Sequence, residues 1–302
     1  MVDTSLAHGR RERLRSRRTP RHRAPNPVSN FAGSFASLGE LAMEGAHVSA
    51  SVSDLDTGQP LVAIDERIVL PTASVGKVLL LIEVSTRLTQ RDFAGYGILD
   101  KAPAEQVGDS GIWKHLQAPS LPFADLAALV GSTSDNLATN ALLRQVGLGA
   151  VRARTESLGL TRTALLDYVR DHRGPDDAPQ LSVGSAAELA WLFAALARGE
   201  VVDSMTSSRV LSWLSLNADL SMVAGAFGLD PLSHRSTDHG ILLVNKTGTD
   251  AGVRAEAGVV RGPRAAVAYA VTVQFNDSGL PARLRVLDAL RTIGTDLLEY
   301  VH

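Results

Sequence analysis

The stretch Val78-Leu79-Leu80-Leu81-Ile82-Glu83-Val84 constrains this chain most. An apolar run this continuous does not suit a helix lying on a surface, so the helix it forms belongs in the middle of a domain. Directly before it stands Ser74-Val75-Gly76-Lys77, a serine and a lysine separated by two residues. Residues i and i+3 share a helix face, so hydroxyl and amine can meet at the head of the buried helix. A serine hydroxyl is a weak nucleophile at neutral pH, and a lysine accepts its proton only where burial or a nearby cation lowers the lysine pKa. The start of a buried helix supplies that setting.

Composition sharpens the point. The chain has only four lysines, Lys77, Lys101, Lys114 and Lys246, against 26 arginines, so arginine carries its ordinary surface charge. Arginine stays protonated in proteins whereas lysine shifts its pKa readily, which makes a lysine in an apolar context a candidate for proton chemistry. The remaining bulk numbers are those of an ordinary globular protein: 302 residues, 45% hydrophobic, 21% charged, formal charge −2. No partner class follows from that charge. No apolar run approaches the ~20 residues needed to span a bilayer. The absence of cysteine removes disulfides, thiolate ligands and a cysteine nucleophile. The closest histidines, His234 and His239, lack i,i+4 spacing and a ligand pattern, so neither metal nor cofactor is expected.

Residues 1–30 stand apart, with arginines at 10, 11, 13, 15, 17, 18, 21 and 23, prolines at 20, 25 and 27, and almost no large apolar side chain. Such a segment reads as a disordered basic arm. A solvated tail is the favoured reading over a polyanion-binding arm, and no nucleic-acid partner is expected. An Arg-Arg pair near the N-terminus suggests an export signal, but residues 19–30 supply no apolar stretch after it. As the sequence stands, a cytoplasmic location and a monomer are expected.

From Phe31 the pattern is globular. Phe35, Leu38, Leu41 and Ala42 recur at helical spacing. Val48, Ala50 and Val52 then alternate with serines as in a half-buried strand, and the turn at 56–60 leads to a return strand at 61–64. The next 140 or so residues read as almost wholly helical, with helices at 122–130 and 137–146 separated by a polar loop at 131–136. Ser185 and Glu188 fit a capping box for a helix ending at Gly199. Residues 167–179, rich in Asp, Arg, Gly and Pro, read as a long irregular loop, a class often functional. Strands at 241–244, 253–260 and 266–275 and a final helix carrying Leu284, Leu287, Leu290, Ile293 and Leu297 complete the chain. The expected fold class is therefore mixed α/β of the α+β type. One antiparallel sheet is built from both chain ends with flanking helices, and an all-helical lobe at about 75–215 is inserted into a domain covering 31–302.

Two further stretches join Ser74-x-x-Lys77, in order: Ser134-Asp135-Asn136 in an interhelical loop and Lys246-Thr247-Gly248 on a strand. Two of the four lysines fall in these motifs. With them the chain resembles the class A β-lactamases, penicillin-recognising serine hydrolases that carry SxxK, SDN and KTG elements. The resemblance covers roughly residues 31–302. It implies the fold just described, a small-molecule substrate (a β-lactam, acyl-peptide or ester), and a set of roles. Ser74 attacks an acyl carbonyl, Lys77 takes or relays its proton, Ser134 passes it to the leaving nitrogen, and Lys246 holds a positive potential beside Ser134. Asn136 hydrogen-bonds the substrate amide. The backbone N–H groups of Ser74 and Thr249 form the oxyanion hole, and of the substrate-binding residues Thr247, Gly248, Thr249 and Arg254, the two threonines and the arginine bind a substrate carboxylate.

One departure matters. The family carries a Glu-x-x-x-Asn element whose glutamate activates the deacylating water, and here 163–167 reads Thr-Ala-Leu-Leu-Asp. Thr163 stands where the glutamate is expected, and Asp167 or Asp171 are the candidate replacements. Acylation is thus better supported than turnover. The readings that follow are a β-lactamase with slow deacylation, a D-Ala-D-Ala peptidase, esterase or acyltransferase, and a penicillin-binding protein without turnover.

Overall fold

The computed structural model describes residues 31–90, 97–102, 107–235, 240–277 and 279–302; the arginine-rich arm at 1–30 lies outside them. Helix α1 (Ala32–Met43) leads into strands β1 (His47–Asp54), β2 (Pro60–Ile64) and β3 (Leu70–Pro71). A 3-10 turn, Ala73–Gly76, then opens directly into α2 (Lys77–Gln90), and every residue from 77 to 86 is buried. The one carboxylate in this run, Glu83, is held by Arg87 Nε at 2.7 Å and Arg154 Nε at 3.0 Å, which meets the requirement that a buried charge be paired.

The helical section continues as β4 (Ile98–Asp100), β5 (Ser120–Pro122), α3 (Phe123–Thr133), α4 (Asn136–Val146), α5 (Leu148–Ser157), β6 (Ala164–Leu165), β7 (Ser182–Gly184), α6 (Ala186–Arg198) and α7 (Ser204–Leu214). Short strands therefore interrupt what the sequence presents as almost continuous helix. Strands β8 (Leu242–Asp250), β9 (Val253–Arg261) and β10 (Ala266–Gln274) and helix α8 (Leu280–Val301) close the chain. The main sheet has the order β2-β1-β10-β9-β8, and every neighbouring pair is antiparallel. Both chain ends build it, as expected.

The two faces of this sheet differ in side-chain size. One presents Val52, Val260, Val267, Tyr269, Val271 and Val273 to α1 and α8 in one core. The other presents Ala255, Ala257, Ala268 and Ala270 to the helical core, and α6 lies across β10, β1 and β9 on that side. Small residues let the helix approach closely. For this reason β1 is buried on both faces rather than one. Its serines point under α6, where Ser49 Oγ donates to Asp65 O at 3.0 Å and Ser51 Oγ to Glu66 Oε2 at 2.8 Å.

Two local expectations change for packing reasons. Gly131 lies inside α3 rather than ending a helix, because a Cβ there would sit 2.5 Å from the Trp213 carbonyl oxygen of α7. The polar interruption shrinks to Ser134 and Asp135. In α8 the core face is Ala282, Val286, Ala289, Leu290, Ile293 and Leu297, while Leu284 is exposed. Among the described residues, no helix is long and apolar enough to cross a membrane.

Candidate active site

Ser74 is the second residue of the 3-10 turn, where backbone N–H groups have no acceptor one turn back. Ala73 before it takes φ +46°, a left-handed conformation that costs a residue with a side chain and clusters at functional sites. One turn on, Lys77 is fully buried. Its ammonium meets three acceptors: Ser134 O at 2.6 Å, Ser134 Oγ at 3.2 Å and Asn136 Oδ1 at 2.6 Å. Among the described hydrogen bonds Lys77 reaches across to the Ser134 loop and not to Ser74. Burial pushes the Lys77 pKa well below that of an ordinary lysine, the Lys246 charge adds to the effect, and Asp135 and Asp109 oppose it.

The Ser134 loop is shaped by its middle residue. Asp135 caps α4, its Oδ1 accepting from Ala138 N at 2.9 Å, while Oδ2 accepts from Ile112 N and Trp113 N, both at 2.8 Å. Ser134 is thereby held at φ 54°, ψ 34°, left-handed like Ala73. Asn136 Nδ2 donates to Gly108 O at 3.2 Å, leaving its oxygen for Lys77. Two of the three motif residues therefore face the lysine, and the third holds them there.

Strand β8 completes the arrangement. Lys246, also fully buried, donates to Ser134 Oγ at 3.0 Å and to Thr247 O at 2.8 Å. Burial lowers its pKa to about 8, with the charges of Asp219 and Glu256 pulling upward. Gly248 is required by close approach, since a Cβ there would lie 2.2 Å from the Thr72 carbonyl oxygen. Ser134 Oγ thus sits between two lysine nitrogens. If both are charged they occupy its two lone pairs, which frees its own proton for a third partner.

Ser74, Ser134, Thr247 and Thr249 line one cleft of about 370 Å³. Ser110, Asn217 and Asp219 line it too; no motif marks them in the sequence, and only the fold brings them there. Behind the cleft Asn217 Nδ2 donates to Asn245 Oδ1 at 2.9 Å, and Asn245 Nδ2 donates to Glu256 Oε1 at 2.8 Å. Tyr269 OH donates to the same carboxylate at 2.7 Å, and Val223 N donates to its other oxygen at 2.8 Å. Burial raises the Glu256 pKa to about 7 against these donors. Arg254 faces an adjoining cavity of about 450 Å³ that shares Thr249 with the cleft. Its guanidinium donates to Asp250 O at 2.9 Å and Val253 O at 2.7 Å. Among the described residues no cluster of His, Asp and Glu forms a metal site.

The loop after β6 is tied down by its own charges. Asp167 Oδ2 accepts from Arg170 Nε at 2.9 Å and Arg173 NH1 at 2.7 Å. Burial pushes this carboxyl up, but the Arg170 and Arg173 bonds and a bond from Tyr168 N outweigh it, so its pKa is lowered overall. Asp171 accepts from Gly108 N at 2.8 Å. Thr163 is buried, its hydroxyl without a hydrogen-bond partner among the described residues. The loop meets α4, the helix that follows Ser134, at Val169, whose N–H and C=O both pair with the Asn140 side chain at 2.9 Å. Tyr168 and Val169 pack there against the helical core.

The model of the beta-lactamase enzyme family matches residues 35–301. Among solved structures, a β-lactamase from Sphaerobacter thermophilus DSM 20745 is similar at 23% identity and TM-score 0.77, covering 90% of this chain and 97% of its own. A variant of PBP-A, described as an acyl-enzyme complex with penicillin G, is similar at 18% identity and TM-score 0.72, covering 89% and 97%. A class A β-lactamase from Mycobacterium abscessus is similar at 18% identity and TM-score 0.71, covering 86% and 97%. No curated protein matches the chain significantly.

Proposed function

The chain belongs to the beta-lactamase enzyme family, serine hydrolases of β-lactamase type, and from that premise we propose that it opens β-lactams by forming an acyl-enzyme on Ser74. The observation that carries this reading is the Ser134 hydroxyl, 3.2 Å from Lys77 Nζ and 3.0 Å from Lys246 Nζ on the wall of the cleft that holds Ser74. Burial and the Lys246 charge favour loss of a Lys77 proton, and the neutral amine then takes the Ser74 proton as Oγ attacks the carbonyl carbon. Negative charge developing on the carbonyl oxygen is met by the N–H of Ser74 at the start of the helix and that of Thr249 on β8. As the C–N bond breaks, Ser134 donates its proton to the leaving nitrogen and is reprotonated by Lys77, which returns the pair to its starting state.

Intact-mass measurement over time with a penicillin tests the reading. One acyl group per chain is expected, none in Ser74→Ala, and labelling at another serine would overturn the assignment.

The deacylating half is not assembled in the same way. Asp167 is engaged by two arginines and its carboxyl is held below the usual range, which makes it a weak base. Tyr168 and Val169, the loop residues docked on α4, offer no carboxylate. These observations favour a long-lived acyl-enzyme, and so the penicillin-binding reading over rapid turnover.

The same arrangement sets a pH dependence. Lys246 assists only as a cation, and its pKa is lowered to about 8, so its charge is largely present at neutral pH, complete below it, and lost as pH rises through that value. The acylation rate should therefore fall above about pH 8. In Lys246→Arg this alkaline limb should disappear, whatever the plateau, because arginine does not deprotonate. A limb that persists in that variant would assign it to another group.

A further inference from the structure

The lysines that drive the proposed chemistry lie beneath the cleft, fully buried. Its lining is otherwise hydroxyl, amide or methyl, and the one charged side chain among the described lining residues is the carboxylate of Asp219. Asp219 is fixed by the turn after α7. Its N–H donates to Asn217 Oδ1 at 3.3 Å, its C=O accepts from Asn217 Nδ2 at 3.1 Å, and the preceding Ala218 N donates to Ser132 O at 2.9 Å. Its Oδ1 accepts from Ser221 N at 3.1 Å and Ser221 Oγ at 2.6 Å. Its charge acts on Lys246, on Arg254 and on Glu256. The turn that carries it is bonded to Ser132 O, two residues before Ser134, and through Asn217 to Asn245, the neighbour of Lys246, so Asp219 lines the Ser134–Lys246 side of the cleft, where the leaving group of an acyl donor would lie.

We propose that Asp219 is a specificity-determining residue that disfavours acyl donors carrying a carboxylate on the leaving-group side and favours those uncharged or cationic there. The inference rests on the Ser74 acylation reading and deepens it. A substrate carboxylate entering beside Lys246 meets a like charge on the wall, and within a partly desolvated cleft such repulsion is weakly screened. A donor whose carboxylate is masked avoids it while presenting the same acyl carbon to Ser74.

Penicillin G and its methyl ester make the comparison, because they differ only in that charge, and the Ser74 adduct of each is distinguished by mass. In Asp219→Asn, which keeps an acceptor for Ser221, the acid-to-ester ratio of acylation rates should rise about tenfold, the size expected for one charge–charge interaction across about 12 Å at an effective dielectric constant of about 20. Because Asp219 also pulls the Lys246 pKa upward, both rates are read at about pH 6, well below that pKa, and the ratio rather than the ester rate carries the test. Equal effects on both donors, or a ratio insensitive to the substitution, would overturn the inference while leaving acylation intact. Absence of any adduct from either donor would overturn the Ser74 reading, and this one with it.

Discussion

A chromogenic cephalosporin mixed with this protein should release about one equivalent of product in a burst and then turn over slowly. The residues proposed to carry acylation are gathered around Ser134 Oγ, whereas the loop that would hold a water-activating base presents Tyr168 and Val169 to the helix after Ser134 and binds Asp167 to Arg170 and Arg173. General-base catalysis is worth typically 10²–10⁴ in rate, about 3–5 kcal/mol of barrier. Deacylation should be slower than acylation by a factor in that range. Asp167→Asn should leave burst and steady rate within about twofold and instead lower stability by about 1–2 kcal/mol, since two arginines lose a charged acceptor in a partly buried loop. Rapid turnover without a burst, collapsing in Asp167→Asn, would show that the aspartate is the base after all.

Lys77→Arg should reduce the acylation rate by roughly 10²–10⁴ while the protein remains folded by thermal unfolding. The substitution keeps a positive charge beside Ser134 but removes the amine that the proposed chemistry needs in its neutral form. The three acceptors at 2.6 Å, 3.2 Å and 2.6 Å also match a compact ammonium better than a planar guanidinium. Acylation close to that of the unmodified protein would make Lys77 a structural cation.

Much of this site is legible in the sequence because its elements are local. Ser74 and Lys77 are joined by a helical turn, and Lys246 to Thr249 by a strand, so spacing alone places them. The surprises come from packing between distant segments. Gly131 looks like a helix stop, yet its missing side chain serves the approach of Trp213. The serines of β1 look solvent-facing until α6 covers them. Asn217 and Asp219 follow α7 in a stretch with no pattern, and only the fold carries them to Ser134. The loop at 167–179 is irregular as expected, but its charges pair with one another, and no spacing rule reveals which aspartate an arginine will claim.

Strand β8 ends the main sheet, and an uncovered terminal strand is a template on which another chain can add. Its nine positions show how that hazard and substrate access are divided. Residues 243–248 are buried, with the Thr72 carbonyl pressed against Gly248, and only Thr249 and Asp250 emerge. The segment that delivers Ser74 therefore also shields the strand from intermolecular pairing. What stays open is long enough for an acyl amide but ends in the charge of Asp250, so a chain seeking to extend the sheet finds at most a two-residue foothold, and protection from self-association and admission of small molecules become properties of the same contact.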